Sequence, residues 1–346
     1  MRYVTFLPLA LWLFGCTRTN LAQPQPATLR ATAPFPVGAA MSPSLLNSNA
    51  LYRQTAAREY GRVTSENHLK MALVHPAADR YDWTGADALL RFAGQNGQRM
   101  HGHTLVWHQQ VPDWVTNFEG DSTAWEALLQ THIQTLVGHY RGRLVSWDVV
   151  NEAFNDDGTL RRTLWLTHLG PDYIARAFRY ARDADPAVRL FYNDYGQEYA
   201  PKKLAAIVNM AGDFGRRGIP LDGLGLQMHI SVNTAEAGIA DALRQATATG
   251  LLVHISELDV ALNPAKQPAF TPTDAGLQQQ RRTYAYVVRT YRTNVPAAQQ
   301  HGITTWNIGD ADSWIPNYCQ CEDYPLPFDK AYQKKPAYAG FVDGLN

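Results

Sequence analysis

The stretch from Val145 to Phe154, VSWDVVNEAF, decides the fold. Its β-branched and apolar residues are nearly continuous and do not alternate with polar residues at helical spacing. They therefore predict a strand that is buried on both faces, as in a parallel sheet. The run stops abruptly at Asn151-Glu152. This stop places a carboxylate at the carboxyl end of a strand.

A second run, LLVHISELDV from Leu251 to Val260, repeats the pattern and also finishes on acidic residues. In a closed parallel barrel, the carboxyl ends of the strands lie on one face, where active sites form. Glu152 and Glu257 would both lie there. Two carboxylates are the minimum equipment for glycoside hydrolysis, which needs an acid/base and either a nucleophile or a second base.

The rest of the chain alternates apolar runs with helical stretches, which indicates repeated β-α units. We predict strands over 37–40, 62–67, 99–107, 145–152, 188–194, 223–229, 251–260 and 302–306, with helices over 86–96, 125–140, 172–184, 202–215 and 240–248, another through 277–291 and a last one near 338–341. This order predicts an α/β fold, the (β/α)8 TIM barrel. No glycine-rich phosphate loop follows the first strand, which argues against a nucleotide cofactor.

The composition excludes some classes of function. The 346 residues carry 31 Lys+Arg and 31 Asp+Glu, so there is no electrostatic case for nucleic acid or for an anionic membrane surface. Nine Trp and seventeen Tyr fit either ordinary packing or sugar-stacking platforms. The second interpretation requires them at strand ends, where several are predicted.

The N-terminus predicts export. Met1-Arg2 precedes an apolar run that ends at Phe14 and is too short to span a bilayer. Residues 13–16, LFGC, resemble the bacterial lipoprotein cleavage box, which favours lipidation of Cys16; the alternative is an ordinary signal cut nearby, after Ala22. We therefore divide the chain into a signal at 1–15, a tether at 16–35 and a catalytic barrel at 36–346, and expect a secreted protein or a cell-envelope lipoprotein.

Two further cysteines, Cys319 and Cys321, are separated by one residue. Exported proteins meet oxidising surroundings, which allows a local disulfide, but so short a ring is uncommon. Two ligands alone do not make a zinc site. The sequence leaves the state of this pair open.

Several blocks together resemble glycoside hydrolase family 10, the retaining endo-β-1,4-xylanases. They are SENHLK at 65–70, HGHTLVWH at 101–108, WDVVNE at 147–152, LQMH at 226–229, ISELD at 255–259 and the 306–314 segment. The likeness runs from about residue 36 to the C-terminus. Two positions depart from the usual pattern: Asn307 replaces a glycine, and Gly196 replaces an asparagine.

The resemblance implies a role for each strand-end residue. Glu152 would be the acid/base, which must be protonated to donate to the departing sugar oxygen, and Glu257 the ionised nucleophile, with the two carboxyl groups about 5–5.5 Å apart. An Asp259–His229–Glu257 hydrogen-bond chain would hold the nucleophile. Asn151 would bond the sugar 2-hydroxyl, and Tyr195 would be the leaving-side platform. The glycone subsites would comprise Glu66, Asn67, Lys70, His103, Trp107, Gln227, Trp306 and Trp314.

The family implies xylan and xylo-oligosaccharides as substrates, with no metal or organic cofactor. A monomer is the default, and a lipidated Cys16 would attach the protein to a membrane. Two alternatives stay open: a related retaining barrel glycosidase that acts on another β-1,4-glycan, and a surface glycan-binding protein on an inactive barrel. The presence of both Glu152 and Glu257 argues against the second.

Overall fold

A computed structural model describes residues 1–3 and 28–346, and its centre is a parallel sheet closed on itself. Strand β6 pairs with both β5 and β8, which joins the ends of an eight-stranded barrel in the order β6-β5-β4-β3-β2-β1-β9-β8. The short β7 lies outside this ring and pairs with the last residues of β8. The strands are β1 (Val37–Met41), β2 (Arg62–Ser65), β3 (Arg99–Gly102), β4 (Ser146–Asn151), β5 (Arg189–Asp194), β6 (Gly223–Leu226), β7 (His229–Ser231), β8 (Leu252–Ala261) and β9 (Gln300–Thr305).

Helices surround the barrel, so the predicted TIM barrel is confirmed. The sequence predicted the seven helices from Thr84 onwards that have ten or more residues, and it missed the ten-residue helix Ala50–Glu59 and the helices of four to six residues. The helices of the described residues are α1 (Leu29–Thr32), α2 (Pro43–Ser48), α3 (Ala50–Glu59), α4 (Met71–Val74), α5 (Thr84–Gln95), α6 (Asp113–Thr116), α7 (Ser122–His139), α8 (Leu164–Leu169), α9 (Tyr173–Ala184), α10 (Pro201–Arg217), α11 (Glu236–Ala248), α12 (Asp274–Asn294), α13 (Ile315–Cys319) and α14 (Pro336–Leu345).

Local signals set the ends of the long helices. The side chain of Asp121 accepts a hydrogen bond from the backbone N–H of Ala124 at the start of α7, which satisfies one of the free donors there. Helix α10 begins at Pro201 and is followed by Gly218 in the left-handed conformation. Proline at the first position and glycine after the last are the residues that such ends favour.

Every residue of β4 is buried, as predicted for a strand covered on both faces. Its Trp147 lies against Gly102 of the neighbouring strand, where a Cβ atom would stand 2.2 Å from the indole. Glycine at this position therefore lets the indole pack directly on the β3 backbone. The alternate residue Asp148 faces His101 on the other side of the sheet.

The packed region begins earlier than the predicted boundary at residue 36. Leu29 is fully buried, and its backbone N–H donates to the Glu59 carboxylate at 3.1 Å. Residues 28–35 therefore belong to the barrel rather than to the tether, while Cys16 and the rest of 4–27 lie outside the described residues. Within the described part of the chain, no helix combines the length and apolar character needed to cross a membrane.

Three strand predictions were too long, and the first of them, 62–67, ends at Ser65 in the structure. Strand β3 ends at Gly102, and the chain then continues through a cis peptide bond between His103 and Thr104. The Thr104 hydroxyl and the Leu105 N–H both donate to the Asp148 carbonyl, so strict alternation as far as Trp107 was wrong. The predicted 223–229 strand breaks at Gln227, because Met228 has a positive φ of 59°.

Candidate active site

The fourteen residues predicted to act on a sugar all lie at or beyond the carboxyl ends of the barrel strands. Asn151 and Glu152 close β4, while Glu257 and Asp259 belong to the exit half of β8. Tyr195 follows β5 directly. The remaining members are placed by the ends of β2, β3, β6 and β9: Glu66, Asn67, Lys70, His103, Trp107, Gln227, His229, Trp306 and Trp314.

Glu152 is held by three hydrogen-bond donors. The Trp107 indole N–H donates to its Oε2 at 2.9 Å, while the side-chain amides of Gln227 and Asn151 donate to its Oε1 at 3.0 and 3.1 Å. The backbone of Glu152 is left-handed, with φ 58°. This conformation is unfavourable for a residue with a Cβ atom and is typical of functional sites.

Glu257 lies on the opposite side of the same amide network. The Asn193 amide donates to its Oε1 at 2.7 Å and also to the Asn151 side-chain oxygen at 3.0 Å. Asn151 in turn donates to Glu152. The two carboxyl groups are therefore fixed relative to each other by a short chain of side-chain amides.

The predicted hydrogen-bond chain behind Glu257 is present in the structure. His229 Nδ1 lies 2.8 Å from Asp259 Oδ2, and its Nε2 lies 3.2 Å from Glu257 Oε2. Burial opposes charge on this imidazole, but the two carboxylates outweigh it and raise the His229 pKa to about 10. Burial likewise opposes charge on Glu257, yet the hydrogen bond from His229 and nearby imidazoles lower its pKa overall.

Replacing His229 with Asn should move the acidic limb of the pH profile of kcat/KM to higher pH. The reason is that the charged imidazole that lowers the Glu257 pKa is lost. The measurement is kcat/KM on a soluble oligosaccharide between pH 3 and 8. Trp314→Phe is the matched control, since it removes the 2.9 Å bond to Asp259 without removing a charge. An acidic limb that stays in place in His229→Asn would contradict the assigned role.

The residues predicted to bind the glycone surround one buried ammonium group. Lys70 Nζ lies 3.1 Å from the Asn67 side-chain oxygen, and 5.0 and 5.6 Å from the ring centres of Trp107 and Trp306. Burial lowers the pKa of the Lys70 ammonium group, and the nearby Glu66 carboxyl group opposes that shift. The result is a polar, aromatic-walled recess beside Glu152 and Glu257.

His103 is held in this recess by a carboxylate that the sequence analysis missed. Asp148 Oδ2 accepts from His103 Nδ1 and from His101 Nε2, both at 2.9 Å. Burial alone would raise the Asp148 pKa, but the two imidazoles lower it overall. An acidic residue inside an otherwise apolar buried strand was the signal that could have identified it.

Two cations that the sequence analysis also missed support Tyr195. Arg161 donates to the Tyr195 hydroxyl at 2.9 Å and to the Glu152 carbonyl at 3.0 Å. Lys203 is fully buried, with its Nζ 3.7 Å from the centre of the Tyr195 ring and 2.8 Å from Asp156. Arg161 stands nine residues after Glu152, so nothing in the sequence pattern predicted that the two would meet.

Both departures from the family pattern occupy left-handed backbone. Asn307 has φ 85° and Gly196 has φ 79°. Asparagine and glycine are the residues that tolerate this region best, so exchanging one for the other preserves the turn. The Asn307 side-chain oxygen also accepts from the Trp314 backbone N–H at 3.2 Å.

Glu198, on the segment after β5, should make stability depend on pH. Burial raises its pKa to about 7. The unfolded chain releases this proton near pH 4 and the folded chain near pH 7, so the free energy of unfolding should fall across that window and then level off. Glu198→Gln stays neutral, so its unfolding free energy relative to the parent should rise by up to about 3 kcal/mol between pH 4 and 8.

Urea unfolding of both proteins at pH 4, 5.5 and 7.5 measures this effect. Glu119→Gln replaces an exposed carboxyl group and reports the general effect of the substitution. A Glu198→Gln difference that is the same at all three pH values would contradict the prediction.

One group of side chains among the described residues has metal-ligand spacing. His101, His254 and His301 offer nitrogens within 4.8 Å of one another inside the barrel. Both nitrogens of His101 are already bonded, to Ser146 and Asp148, and the Arg62 guanidinium donates to the His301 carbonyl. A permanent positive charge beside the group opposes a cation, so we assign the three imidazoles to polar packing of the core.

Comparisons with known proteins agree with this geometry. The family model described as glycosyl hydrolase family 10 matches residues 28–344. Endo-β-1,4-xylanase Xyn10C of Cellvibrio japonicus is 40% identical over 92% of this chain and 57% of its own length. An endo-1,4-β-xylanase of Agaricus bisporus is 32% identical over 97% of this chain and 98% of its own.

A solved xylanase structure is also similar to this chain. A mutant of xylanase 10C from Cellvibrio japonicus, in complex with xylopentaose, superposes with a TM-score of 0.87 at 38% identity, over 92% of this chain and 69% of that one. The chain thus spans little more than half the length of the full Cellvibrio protein.

Proposed function

The chain belongs to glycosyl hydrolase family 10, and we propose that it is an endo-1,4-β-xylanase that hydrolyses internal β-1,4-xylosidic bonds of xylan with retention of configuration. One observation carries this proposal. Glu152 and Glu257 extend from two strand ends into one amide network, and only Glu257 is bonded to the cationic His229. Two carboxyl groups with different surroundings have the separate roles that this reaction needs.

In the first half of the reaction, Glu257 attacks the anomeric carbon while Glu152 gives its proton to the departing glycosidic oxygen. The lowered pKa of Glu257 keeps it ionised and ready to attack. The Asn151 and Asn193 amides hold the carboxyl groups in position, and Asn151 is also available to the sugar 2-hydroxyl. A glycosyl ester on Glu257 and a free leaving sugar result.

In the second half, Glu152 takes a proton from water, and the water oxygen attacks the anomeric carbon. The ester bond breaks and Glu257 recovers its negative charge. The same residue therefore acts first as acid and then as base. Two inversions give net retention.

The recess around Lys70 supports xylose as the sugar on the non-leaving side. The Trp306 indole is almost completely buried, with 5% of its surface exposed, and packs edge-on against His103 at 5.1 Å between ring centres. Such a wall restricts the space around the sugar, and xylose carries no hydroxymethyl group. The Cellvibrio relative with 38% identity was solved with xylopentaose, which agrees with this substrate.

The test follows anomeric protons by NMR while protein lacking residues 1–22 acts on a linear xylo-oligosaccharide. Internal cleavage with the β-anomer formed before mutarotation is the expected result. Turnover of a cello-oligosaccharide instead would keep the mechanism and change the substrate. Inertness on both would favour the glycan-binding alternative.

We further propose that the protein is exported and anchored through a lipidated Cys16. The support is the charged start, short apolar run and cysteine box in residues 1–16. Fractionation of cells that express the chain or its Cys16→Ser variant tests this. Membrane association that persists in the variant would contradict lipid anchoring at this residue.

A further inference from the structure

The connection between β9 and α14 presents a tyrosine ring to solvent. Tyr318 has 70% of its surface exposed, more than any other large apolar side chain within residues 28–346. Burial of such a ring normally stabilises a fold, and the exposed Tyr318 ring does not contribute that stabilisation. The exposure therefore has no explanation in packing.

Tyr318 is the outermost member of a row of aromatic rings that begins inside the candidate active site. Trp306 lies 5.1 Å from His103 and 6.4 Å from His229, between ring centres. Trp314 lies 5.0 Å from His229 and donates to Asp259. The Tyr318 ring follows, with its centre 5.0 Å from that of Trp314.

The row runs away from the glycone recess. Lys70 and its neighbours follow β2 and β3, whereas Lys266, with its Nζ 5.8 Å from the Tyr318 ring centre, follows β8. In the closed strand order, β8 lies directly across the barrel from β3 and three strands from β2. A polysaccharide that crosses the barrel mouth from the recess would leave on this side.

The segment that carries the ring is tied down. The Cys319–Cys321 disulfide closes the turn next to Tyr318, which answers the question that the sequence left open. The Tyr318 N–H donates to the Trp314 carbonyl at 3.1 Å, and Asn263 donates to the Glu322 carbonyl at 2.9 Å. An exposed ring on an ordered segment binds a ligand at a smaller entropic cost than a mobile one.

We infer that Tyr318 is a sugar-binding platform for a unit of the polymer on the leaving-group side, with Lys266 available to donate to that unit's hydroxyl groups. This inference rests on the proposed function. A pyranose ring presents a face of C–H groups that stacks on an aromatic ring, and its rim carries hydroxyl groups that accept from an ammonium group. The platform would favour long chains over short ones.

The test compares the complete chain with its Tyr318→Ala and Tyr318→Phe variants on linear xylo-oligosaccharides of two to six units and on an aryl β-xylobioside. Tyr318→Ala should lower kcat/KM about tenfold on the longest oligosaccharides, mainly through KM, and leave the aryl substrate within about twofold. Tyr318→Phe keeps the ring and should behave as the parent. Leu51→Ala, which trims another exposed side chain, is the control for general surface effects.

Equal kcat/KM for Tyr318→Ala and the parent at every chain length would overturn the inference. A parent that cleaves cello-oligosaccharides instead would move the same comparison to that series and overturn only the substrate of the proposed function. Calorimetric titration of xylohexaose into Glu257→Ala, with and without Tyr318→Ala, gives a readout that needs no turnover. Equal affinities would again overturn the platform.

Discussion

Glu257→Ala is expected to lower kcat by at least about 10^4-fold on every glycoside, whatever its leaving group. Without this carboxylate no glycosyl ester forms, and a better leaving group cannot replace a missing nucleophile. The amides of Asn193 and Asn151 remain to bind the substrate, so affinity for oligosaccharides should persist.

The measurement is turnover of xylan, of a linear xylo-oligosaccharide and of an aryl β-xylobioside, alongside binding by calorimetry. Thermal unfolding shows whether the variant is folded, and Glu119→Ala removes an exposed carboxyl group as the matched control. Substantial turnover of the aryl substrate by Glu257→Ala would place the nucleophile elsewhere.

Glu152→Ala is expected to separate the two halves of the reaction. Xylan needs protonation of its leaving oxygen, so its turnover should fall by about 10^3-fold or more. A dinitrophenyl β-xylobioside releases dinitrophenolate, which needs no proton to depart. The first step on this substrate should therefore be nearly as fast as in the parent. The second step lacks its base, and the glycosyl ester on Glu257 should accumulate.

Rapid mixing detects this as a burst of dinitrophenol followed by slow turnover. Added azide, an anion that attacks without a general base, should restore steady turnover and yield a β-glycosyl azide. Trp107→Phe, which removes one bond to Glu152 but keeps its carboxyl group, is the control and should show no burst. Equal loss on xylan and on the dinitrophenyl substrate would contradict the acid/base role.

The fold was predictable because its signals are local and repeated. Buried runs such as 145–150 and 252–258 identify parallel strands without reference to any partner. The helices between them contain the residues that mark where they begin and end. The errors occurred where tertiary contacts override local pattern. The Asp148 carbonyl ends the β3 alternation by accepting bonds from Thr104 and Leu105, and the positive φ of Met228 breaks the predicted sixth strand.

The candidate site was predictable only in its strand-end members. Their direction follows from the barrel itself, which brings all carboxyl ends to one face. Arg161, Lys203 and Tyr318 were missed because they lie away from the strand ends, on a connection, in α10 and in α13. Their contacts with Tyr195 and Trp314 depend on how those segments fold back over the barrel. Spacing along the chain carries no information about such contacts.

The left-handed backbone of Glu152 also has an evolutionary consequence. Glycine and asparagine adopt that conformation more easily than glutamate, by about 1 kcal/mol. The backbone at this position alone therefore favours replacing Glu152, and the three hydrogen bonds to its carboxyl group and selection for turnover oppose that change. A descendant that kept the barrel but no longer degraded its polysaccharide should drift towards Gly or Asn at position 152 together with changes at Trp107, Gln227 and Asn151, whose donors would otherwise lose their shared acceptor.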